Sequence, residues 1–297
     1  MSINIPTFYS QQYATNIELL LQQMGSRFRG AVMSKSYVGK AAQVVDQIGQ
    51  VAAQKVIGRF SPMGRIDAPT DARWVYPVDY DLPQLVDSFD LLKMIVDPKS
   101  SLVQNAVYAM GRAQDDEIIA AFHGTAKTGS DGSTSTTLPS TQVVGVAQGA
   151  ASAVGLTVAK LREAKRILMA NEVDFERDPI YIGVKATQHD NLLAETQVIN
   201  LDYNEKPVLV EGKITRFLGM EFIHSERLLS GTDDAAGTSV AVPVWAKSGM
   251  HLGLWEDIKT STSIRNDIQG EPFQAYCKES IGATRTQEKK VVKIWCR

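Results

Sequence analysis

Cysteine and net charge are both scarce in this sequence of 297 residues. The two cysteines, Cys277 and Cys296, cannot form a disulfide framework, so reduced thiols in a cytoplasmic setting are expected. The 31 Lys and Arg residues nearly balance the 33 Asp and Glu residues, which gives a formal net charge of -2. A protein that grips nucleic acid usually carries a basic excess, because its cations neutralise phosphates. The composition therefore argues against nucleic-acid binding as the main task.

Long apolar runs and targeting signals are also lacking. No stretch approaches the roughly 20 apolar residues that a membrane-spanning helix needs, so no membrane partner is expected. Residues 1–8 have neither the basic region nor the apolar region of a secretory signal, so secretion is not expected. The length is compatible with two domains or with one large elaborated domain.

Motifs for catalysis and cofactor binding are missing as well. The histidines are His123, His189, His224 and His251, which lie far apart, whereas a zinc ion needs three or four converging ligands. No phosphate-binding loop, dinucleotide fingerprint or nucleophile elbow is present. The acidic run at 115–117 is expected to be a solvated helix face with one inward-facing acid. The sequence thus predicts no catalytic residue, no metal ligand and no cofactor, and it does not indicate an enzyme.

Two N-terminal stretches place apolar residues at helical spacing. The first spans residues 10–24 and includes Tyr13, Ile17 and Leu20, which we expect at a subunit interface. The second spans residues 38–56, where glutamines occupy much of the remaining surface. Glutamine forms hydrogen bonds without a charge that must be desolvated, so it suits a surface covered by another chain. A neutral face exposed to solvent is the alternative.

Residues 58–85 have the composition of an extended hairpin. Prolines and glycines disfavour helix there, and the aromatic residues Trp74, Tyr76 and Tyr80 fall on alternate positions. The pattern predicts a long β-hairpin with its tip near 67–71 and one aromatic face. We expect the aromatic side chains to pack on a neighbouring subunit, because an exposed apolar strand face promotes aggregation unless a partner covers it. An intramolecular core position is the alternative.

Charges of both signs surround the predicted tip. They are Arg65, Asp67, Asp71 and Arg73, and we expect them to form ion pairs across a subunit interface. Each exposed pair is worth only about 0.2–1 kcal/mol, so such pairs would contribute specificity more than strength. A solvated tip is the alternative.

The middle of the sequence predicts one long helix. Asp97 and Pro98 supply an N-cap and a first helical residue, and the pattern continues to about Phe122. At about 1.5 Å per residue, this helix is a rod of roughly 37 Å. Residues 124–140 are rich in glycine, serine and threonine, which predicts a flexible loop or a domain boundary.

Shorter elements follow this long helix. Thr157 is predicted to cap a helix, which is followed by a strand at 179–184 and a helical segment at 186–195. Helices come early and strands come late, without regular alternation, so the fold class is α+β. The remaining strands are predicted at 213–224, 240–246, 250–265 and 273–296.

Several stretches share their order and spacing with one known family. The segment from Phe217 to Ser225 is similar to a conserved step of that family, LLG-x-P-[VI]-x-x-S. The other stretches are the end of the long helix at 112–124, the helix–strand–helix unit at 157–195, the region 245–264 and the closing strands at 282–294. On these stretches the chain resembles a tailed-bacteriophage major capsid protein of the HK97-fold family. The likeness covers nearly the whole chain.

The resemblance implies a division of the chain into parts named for that fold. It predicts an HK97-like α+β architecture with a long spine helix and an axial domain that meets its copies at the capsomer centre. The predicted segments are an N-terminal arm at 1–57, an extended β-hairpin loop at 58–88, a peripheral domain with the spine helix at 89–135, an axial domain at 136–264 and the return strands of the peripheral domain at 265–297.

The function that the resemblance implies is a structural one. The chain would be a major capsid protein that assembles with copies of itself, as hexamers and pentamers, into an icosahedral shell around double-stranded DNA. The packaged DNA would be touched weakly and without sequence specificity, and scaffolding, portal and decoration proteins are further candidate partners. The implied location is the virion capsid, after assembly in the host bacterial cytoplasm. The Lys–Asn cross-link of the family's namesake cannot be mapped onto matching positions and is not expected.

Other functions stay open at this point. An encapsulin-like nanocompartment shell protein shares the fold, and a soluble enzyme with a dispersed site or a tail or connector protein would belong to a different class. If residues 1–57 form an arm, their deletion is expected to leave a folded subunit that fails to assemble.

Overall fold

A computed structural model describes residues 21–55, 58, 64–87, 99–195, 198, 214–232 and 238–297. Its architecture is α+β, as predicted. The helices are α1 (Lys99–His123), α2 (Val158–Ala170) and α3 (Ala186–Leu193). The strands are β1 (Met33–Ser36), β2 (Ala42–Ile48), β3 (Thr70–Val75), β4 (Val78–Val86), β5 (Ala126–Thr128), β6 (Thr134–Thr136), β7 (Val143–Val144), β8 (Ile180–Val184), β9 (Arg216–Phe217), β10 (Met220–His224), β11 (Ser230–Thr232), β12 (Thr238–Ala246), β13 (Met250–Ile264), β14 (Phe273–Arg285) and β15 (Val291–Cys296).

The described strands form three sheets. The long sheet has the order β1-β13-β14-β4, and the axial sheet has the order β7-β15-β12-β8-β10-β9, with β11 added to β12. The third, called the hairpin sheet, has the order β2-β3-β5-β6. Each sheet joins segments that are far apart in sequence, so the chain passes repeatedly between them.

Helix α1 packs on the long sheet, as the predicted spine helix. Its inner face buries Met110, Ile118, Ile119 and Phe122, and the helix has contacts with β14, β13 and β4. It continues to His123, close to the predicted end. The amide of the next residue, Gly124, still donates to the carbonyl of Ala120 at 2.9 Å, and then the chain turns away. The predicted N-cap at 97–98 lies outside the described residues.

The axial sheet is covered by α2, as the sequence predicts. The Thr157 hydroxyl accepts a hydrogen bond from the Lys160 amide at the start of this helix, which confirms the predicted cap. Leu161, Ala164 and Leu168 are fully buried in the same apolar cluster as the core of β8 and β12. Local signals were therefore sufficient to locate α2, β8 and α3 within a few residues.

The helix predicted at 38–56 is wrong. Residues Ala42–Ile48 form strand β2, and residues 49–55 are irregular. β2 pairs antiparallel with β3, with Ala42 opposite Val75 and Ile48 opposite Thr70. Val44, Val45 and Ile48 are β-branched and favour a strand that has a partner, which outweighs the helical spacing of the apolar residues in 38–56. Residues 21–24 are not helical either, and the rest of the first predicted helix lies outside the described residues.

The hairpin predicted within 58–85 is also placed incorrectly. The strands that pair are β2 and β3, so residues 67–71 lie where the chain enters β3 and not at a tip. β4 leaves this hairpin and pairs with β14 in the long sheet. Tyr76 and Pro77 separate β3 from β4, and a proline, which lacks an amide hydrogen, suits this exit. The alternating aromatic residues that suggested one hairpin lie on β3 and β4 and between them, and these strands belong to different sheets.

The predicted loop at 124–140 contains regular structure. β5 and β6 form a small antiparallel hairpin there, with Ala126 opposite Thr136, and β5 pairs with β3. The positive φ values of Gly129 and Gly132, 91° and 71°, shape the turn between them. The glycines of this segment thus serve a tight turn and not a flexible linker.

Predicted segment boundaries do not coincide with the sheets. β13 was assigned to the axial segment, yet it lies in the long sheet, where it pairs with β14. β15 was assigned to the peripheral return strands, yet it lies in the axial sheet between β7 and β12. Antiparallel pairing with a neighbour in sequence holds β13, while the apolar run of β15 is buried in the axial core. Pairing partners, which sequence order does not reveal, decide both positions.

Candidate functional site

The N-terminal segment crosses helix α1 at a contact between two glycines. A Cβ atom on Gly111 would lie 2.5 Å from the Cα of Gly25 and 2.7 Å from the amide nitrogen of Ser26. Gly25 itself has a φ of 71°, which side-chain-bearing residues rarely adopt. A side chain on Gly111 would clash with the segment, and one on Gly25 would strain its backbone, so both positions favour glycine at this crossing.

Asp115 anchors the N-terminal segment beside that crossing. Its carboxylate is fully buried and accepts hydrogen bonds from the Ser26 hydroxyl at 2.5 Å and the Gln23 amide at 2.5 Å. It also accepts from the backbone amides of Arg27, at 3.0 Å and 3.1 Å, and of Phe28, at 3.1 Å. A buried charge with this many donors is well satisfied. The acidic run at 115–117 is therefore partly a structural anchor and not only a solvated face.

An aromatic cluster continues the anchor into the core. The rings of Phe28 and Phe122 lie 6.2 Å apart, and those of Phe122 and Trp245 lie 4.4 Å apart. The indole of Trp245 donates a hydrogen bond to the carbonyl of Ala31 at 2.9 Å. All three rings are fully buried. The segment around Phe28 is thus part of the folded body, together with β1, although the sequence assigned it to an arm.

Arg285 caps the C-terminal end of the same helix. Its Nη1 donates to the carbonyls of Ala121 at 3.0 Å, Phe122 at 3.1 Å and Gly124 at 2.5 Å, and its Nη2 donates to the carbonyl of Thr136 at 3.3 Å. These carbonyls have no partner inside the helix, and the negative end of the helix dipole favours a cation. Arg285 therefore ties α1, β14 and the β5–β6 hairpin together.

A buried carboxyl group lies between α1 and the long sheet. Glu279 on β14 accepts a hydrogen bond from the Gln114 amide at 2.9 Å. Burial is the main cause that raises the pKa of Glu279 to about 7; the charge of Asp257 contributes to this rise, while the Gln114 hydrogen bond and Arg29 oppose it. Nearby, Tyr80 donates to the Glu117 carboxylate, and burial raises the pKa of the Tyr80 phenol. This contact between helix and sheet is therefore sensitive to pH.

The residues predicted at a charged tip lie in three different settings. Arg65 and Asp67 form an ion pair at 2.9 Å, and both side chains are highly exposed. Asp71 accepts hydrogen bonds from the amides of Ala72 and Gly129, at 2.8 Å and 3.0 Å, within the hairpin sheet. Only the Arg65–Asp67 pair therefore has the exposed position that was expected.

Arg73 faces the body of the protein. Its side chain is 5% exposed and donates to the Glu288 carboxylate at 2.5 Å. Gln47, on the paired strand β2, donates to the backbone carbonyl of Thr286 next to this contact. Both contacts attach the β2–β3 ladder to the turn before β15. The expectation of a tip ion pair is wrong for Arg73, because β3 runs back towards the body at this position.

The predicted aromatic face is divided between two sheets. The Trp74 indole donates to the carbonyl of Gly129 at 2.7 Å, and Tyr80 packs against Met110 and Ala106. Both side chains thus make intramolecular contacts, which was the alternative, while Tyr76 remains 41% exposed. Their role at an interface stays a prediction. Tyr13, Ile17 and Leu20 lie outside the described residues.

Apolar side chains that sequence reasoning did not select are exposed on the hairpin. Ile48 is 75% exposed, Val51 is 51% exposed and Ile66 is 45% exposed. Ile48 ends the β2–β3 ladder next to Gln47 and lines a cavity with Arg73 and Glu288, whereas Val51 and Ile66 lie beyond the ladder. A helical interpretation of 38–56 placed Ile48 on a buried face and so hid this signal. A projecting element with uncovered apolar side chains indicates a surface for a partner.

Among the described residues, no three His, Cys, Asp or Glu side chains converge as ligands for a metal ion. Burial lowers the pKa of His251 to about 4, helped by the charge of Lys35, and burial lowers the pKa of His123 to about 3. Both imidazoles are therefore neutral near pH 7. Cys277 and Cys296 are free and buried. Among the described helices, none is both long and apolar enough to cross a membrane.

Comparison with known proteins points to viral shells. A family model described as "Phage capsid protein" matches residues 5–297. No curated protein matches the chain in sequence. Among solved structures, the chain is similar to a subunit of the capsid of cyanophage P-SCSP1u, with a TM-score of 0.76 and 14% identity over 98% of this chain and 93% of that chain. It is also similar to a capsid subunit of Ralstonia phage GP4, with a TM-score of 0.74 and 10% identity over 100% of this chain and 98% of that chain. The predicted HK97-like fold is confirmed.

Proposed function

Since the chain belongs to the phage capsid protein family, we propose that it works as the major capsid protein, the repeated subunit of an icosahedral virus head. Its principal partner is itself, in pentamers and hexamers, and the finished shell encloses double-stranded DNA. The role is structural and includes no catalytic step. We place the protein in the virion capsid after assembly in the host bacterial cytoplasm, with scaffolding and portal proteins as partners during assembly.

One observation supports this proposal beyond family membership: apolar side chains at the end of β2 and in the connection to β3 are exposed. Ile48, Val51 and Ile66 are exposed, whereas the β2–β3 ladder is fixed to the body through Arg73 and Glu288. A firmly attached element with an uncovered apolar end suits contact with a neighbouring subunit. Burying a side chain such as isoleucine is worth about 1.5–3 kcal/mol. Repetition around a closed shell multiplies such modest contacts.

The near-zero net charge, which argued against nucleic-acid binding as the main task, also predicts that the shell contacts its DNA only weakly. A net charge of -2 gives little general attraction to phosphates. A container gains nothing from a tight grip on its contents, because packaged DNA must later leave. The residues 1–20 and the hairpin are proposed to reach neighbouring subunits.

Particle size tests the proposed function directly. Light scattering and negative-stain microscopy of the purified chain should show closed, uniform particles of many megadaltons. The variant Ile48→Asp with Val51→Asp should stay folded by circular dichroism but lose these particles, because two charges would replace apolar contacts. Ile48→Val with Val51→Ile keeps the surface apolar and should assemble. Unimpaired assembly of the aspartate variant would remove the hairpin from the interface, and a chain that stays monomeric with or without scaffold would contradict the shell function.

A further inference from the structure

A cavity lies where segments of all three sheets meet. It has a volume of about 370 Å³, and its walls come from β1 and β13 of the long sheet, from β2 of the hairpin sheet and from the turn that leads into β15 of the axial sheet. Met33, Val44 and Val45 form the apolar part of the lining, and the other lining residues are polar. Every lining residue lies within the described ranges, so the chemistry of the walls is complete.

The charged side chains of this lining are cations. They are Lys35 on β1 and Lys290 in the turn before β15, and the lining contains no aspartate or glutamate. Lys290 donates to the Ser248 hydroxyl at 2.7 Å, and this hydroxyl donates in turn to the Asp178 carboxylate. Lys35 has no ion pair within the part of the chain that the structure describes. One positive charge of the cavity is thus uncompensated, and the other is compensated only through a hydroxyl.

A buried imidazole adds an unused polar atom to the same wall. His251 lines the cavity and is only 5% exposed. Its Nε2 atom lies 3.0 Å from the Tyr37 hydroxyl, whereas its Nδ1 atom has no hydrogen-bond partner among the described residues. When Tyr37 donates to Nε2, the neutral ring carries its proton on Nδ1 and donates from there. A buried polar atom without a partner, at the wall of a polar cavity, indicates a position for a ligand.

Hydrogen bonds between the walls fix the cavity before any ligand binds. The Thr286 hydroxyl, which is buried, donates to the carbonyl of Ser248 at 2.6 Å. Gln47 on β2 donates to the carbonyl of Thr286. The turn before β15 is thereby joined both to the start of β13 and to β2. A ligand therefore does not have to order these walls, which lowers the cost of binding.

We propose that this cavity binds a phosphate group. A phosphate is a compact anion whose oxygens point in several directions, so it accepts from ammonium groups on different walls at once. A carboxylate has only two oxygens in one plane, which suits donors on one side. The group belongs either to inorganic phosphate or to a nucleic-acid backbone, and both sources present the same oxygens.

The net charge of the chain does not oppose such a site. Salt limits the interaction of exposed charges to about 8–10 Å, so local cations decide the binding. A phosphate held between β1 and the turn before β15 contacts parts of two sheets and stabilises the folded state in which they meet. The inference is independent of the proposed shell function, because it concerns contacts within a single subunit.

Calorimetric titration of the purified chain with inorganic phosphate, at pH 7 and low ionic strength, tests the inference. The parent protein should bind one phosphate per chain, and phosphate should raise its thermal unfolding midpoint. Lys35→Gln with Lys290→Gln should weaken binding by at least about tenfold, because it removes two charge-assisted contacts. Absence of binding by the parent protein would overturn the inference.

Lys127→Gln with Lys185→Gln is the matched control. Each of these lysines also donates to a serine hydroxyl, at 2.9 Å and 3.4 Å, but neither lines the cavity. This double variant changes the net charge by the same amount and should bind phosphate like the parent protein. Equal weakening in both double variants would show a general effect of charge and would overturn the inference.

A single substitution covers the case in which the first double variant does not fold. Lys35 is exposed, so Lys35→Glu should keep the fold, as judged by circular dichroism. It places a negative charge at the cavity and should abolish phosphate binding, whereas Lys127→Glu should retain it. Unchanged phosphate affinity in Lys35→Glu would overturn the inference.

A second titration, with a short DNA duplex, distinguishes the two sources. If the Lys35–Lys290 double variant binds the duplex more weakly than the control variant does, the site takes backbone phosphates. If it loses only inorganic phosphate and binds the duplex as well as the control variant does, the site takes the free ion. Both results support the phosphate site. Light scattering of the parent chain reports on the shell function separately, so failure of one proposal is distinguishable from failure of the other.

Discussion

Three buried charged residues connect helix α1 to the rest of the protein, and they differ in how well they are satisfied. Asp115 accepts from several donors of the N-terminal segment, and Arg285 donates to the last carbonyls of the helix. Glu279 has one hydrogen bond, from Gln114, and its second oxygen has no partner among the described residues. A buried carboxylate with one donor is costly, whereas the same group in its protonated form is tolerated. The contacts of Asp115 and Arg285 thus hold the helix firmly, whereas the contact of Glu279 depends on its protonation.

Glu279 should make stability depend on pH in a specific direction. Its pKa in the folded protein is about 7, above the ordinary value of 4.5, so the folded state keeps a proton that the unfolded chain releases. Stability from this group is complete below pH 4.5 and is lost as the pH rises through 7. The free energy of unfolding of Glu279→Gln should therefore rise relative to that of the parent protein as the pH rises, by on the order of 1–3 kcal/mol at pH 8. Urea unfolding at pH 5 to 8 measures this difference.

Glu256→Gln is the matched control for that experiment. Lys278 lies 2.7 Å from Glu256 and holds the pKa of this exposed carboxyl below its usual range. Its neutralisation should give no stabilisation at high pH. A difference between Glu279→Gln and the parent that does not change between pH 5 and 8 would show that Glu279 ionises normally.

Asp115 should contribute more to the free energy of unfolding than its partly exposed neighbour Asp116. Asp115→Asn removes the charge that several donors share and should lower the free energy of unfolding by about 1.5–3 kcal/mol. Asp116→Asn breaks only a partly exposed ion pair with Arg227 and should cost less than about 1 kcal/mol. Urea denaturation of both variants at pH 7 compares them. Equal losses would contradict the anchoring role of Asp115.

Two secondary-structure elements, β2 and α1, depend on contacts from other parts of the chain. β2 is stable as a strand because β3 pairs with it, and the pair projects Ile48 at its far end. α1 ends where Arg285 supplies donors to its last carbonyls, which also connects it to β6. Both elements are thus stabilised by residues that lie outside them, β2 by its pairing with β3 and α1 by Arg285.

The cap by Arg285 should depend on the shape of its side chain and not only on its charge. Arg285→Lys keeps the cation but loses the planar fork that reaches several carbonyls at once, so it should cost about 1–3 kcal/mol of stability. Arg265→Lys, in an exposed pair with Asp267, should have almost no effect. Thermal unfolding of both variants measures the difference. If Arg285→Lys left the stability unchanged, the positive charge alone would be sufficient for the cap.

For the molecule as a whole, the stretch from Gln22 to β2 is part of the folded body. Phe28 is fully buried, β1 pairs with β13, and β2 pairs with β3. The expectation that residues 1–57 could be deleted without unfolding the subunit is therefore wrong. A deletion of that length would remove an aromatic ring from the core and two strands from two sheets.

Truncations at two positions distinguish an arm from the body. A chain that starts at residue 21 keeps the contacts of Gln22 and Gln23 with α1 and should unfold with the same cooperativity as the full chain. A chain that starts at residue 33 loses Phe28 and should be less stable by at least the roughly 3–5 kcal/mol of a buried Phe-to-Ala change. Calorimetry compares the two, and equal stability would contradict the assignment of Phe28 to the core.

Sequence by itself was sufficient for the elements whose signals are local. Thr157 marked the start of α2, apolar β-branched residues marked β8, and the spacing that ends near Phe122 marked the end of α1, because caps and periodicity act within a few residues. The order of these elements also supported the resemblance to a capsid fold. The acidic run at 115–117 was visible too, but its partners were not.

Only the tertiary structure decided which strands pair and which side chains meet. β2 had a spacing compatible with a helix until β3 supplied its partner, and β13 and β15 lie in sheets that their order in the chain does not indicate. Gly25 meets Gly111, and Arg73 meets Glu288, across separations that no local pattern spans. Pairing energy and close packing are gained only when distant segments are brought together, so their outcome depends on the whole fold and not on any one stretch of sequence.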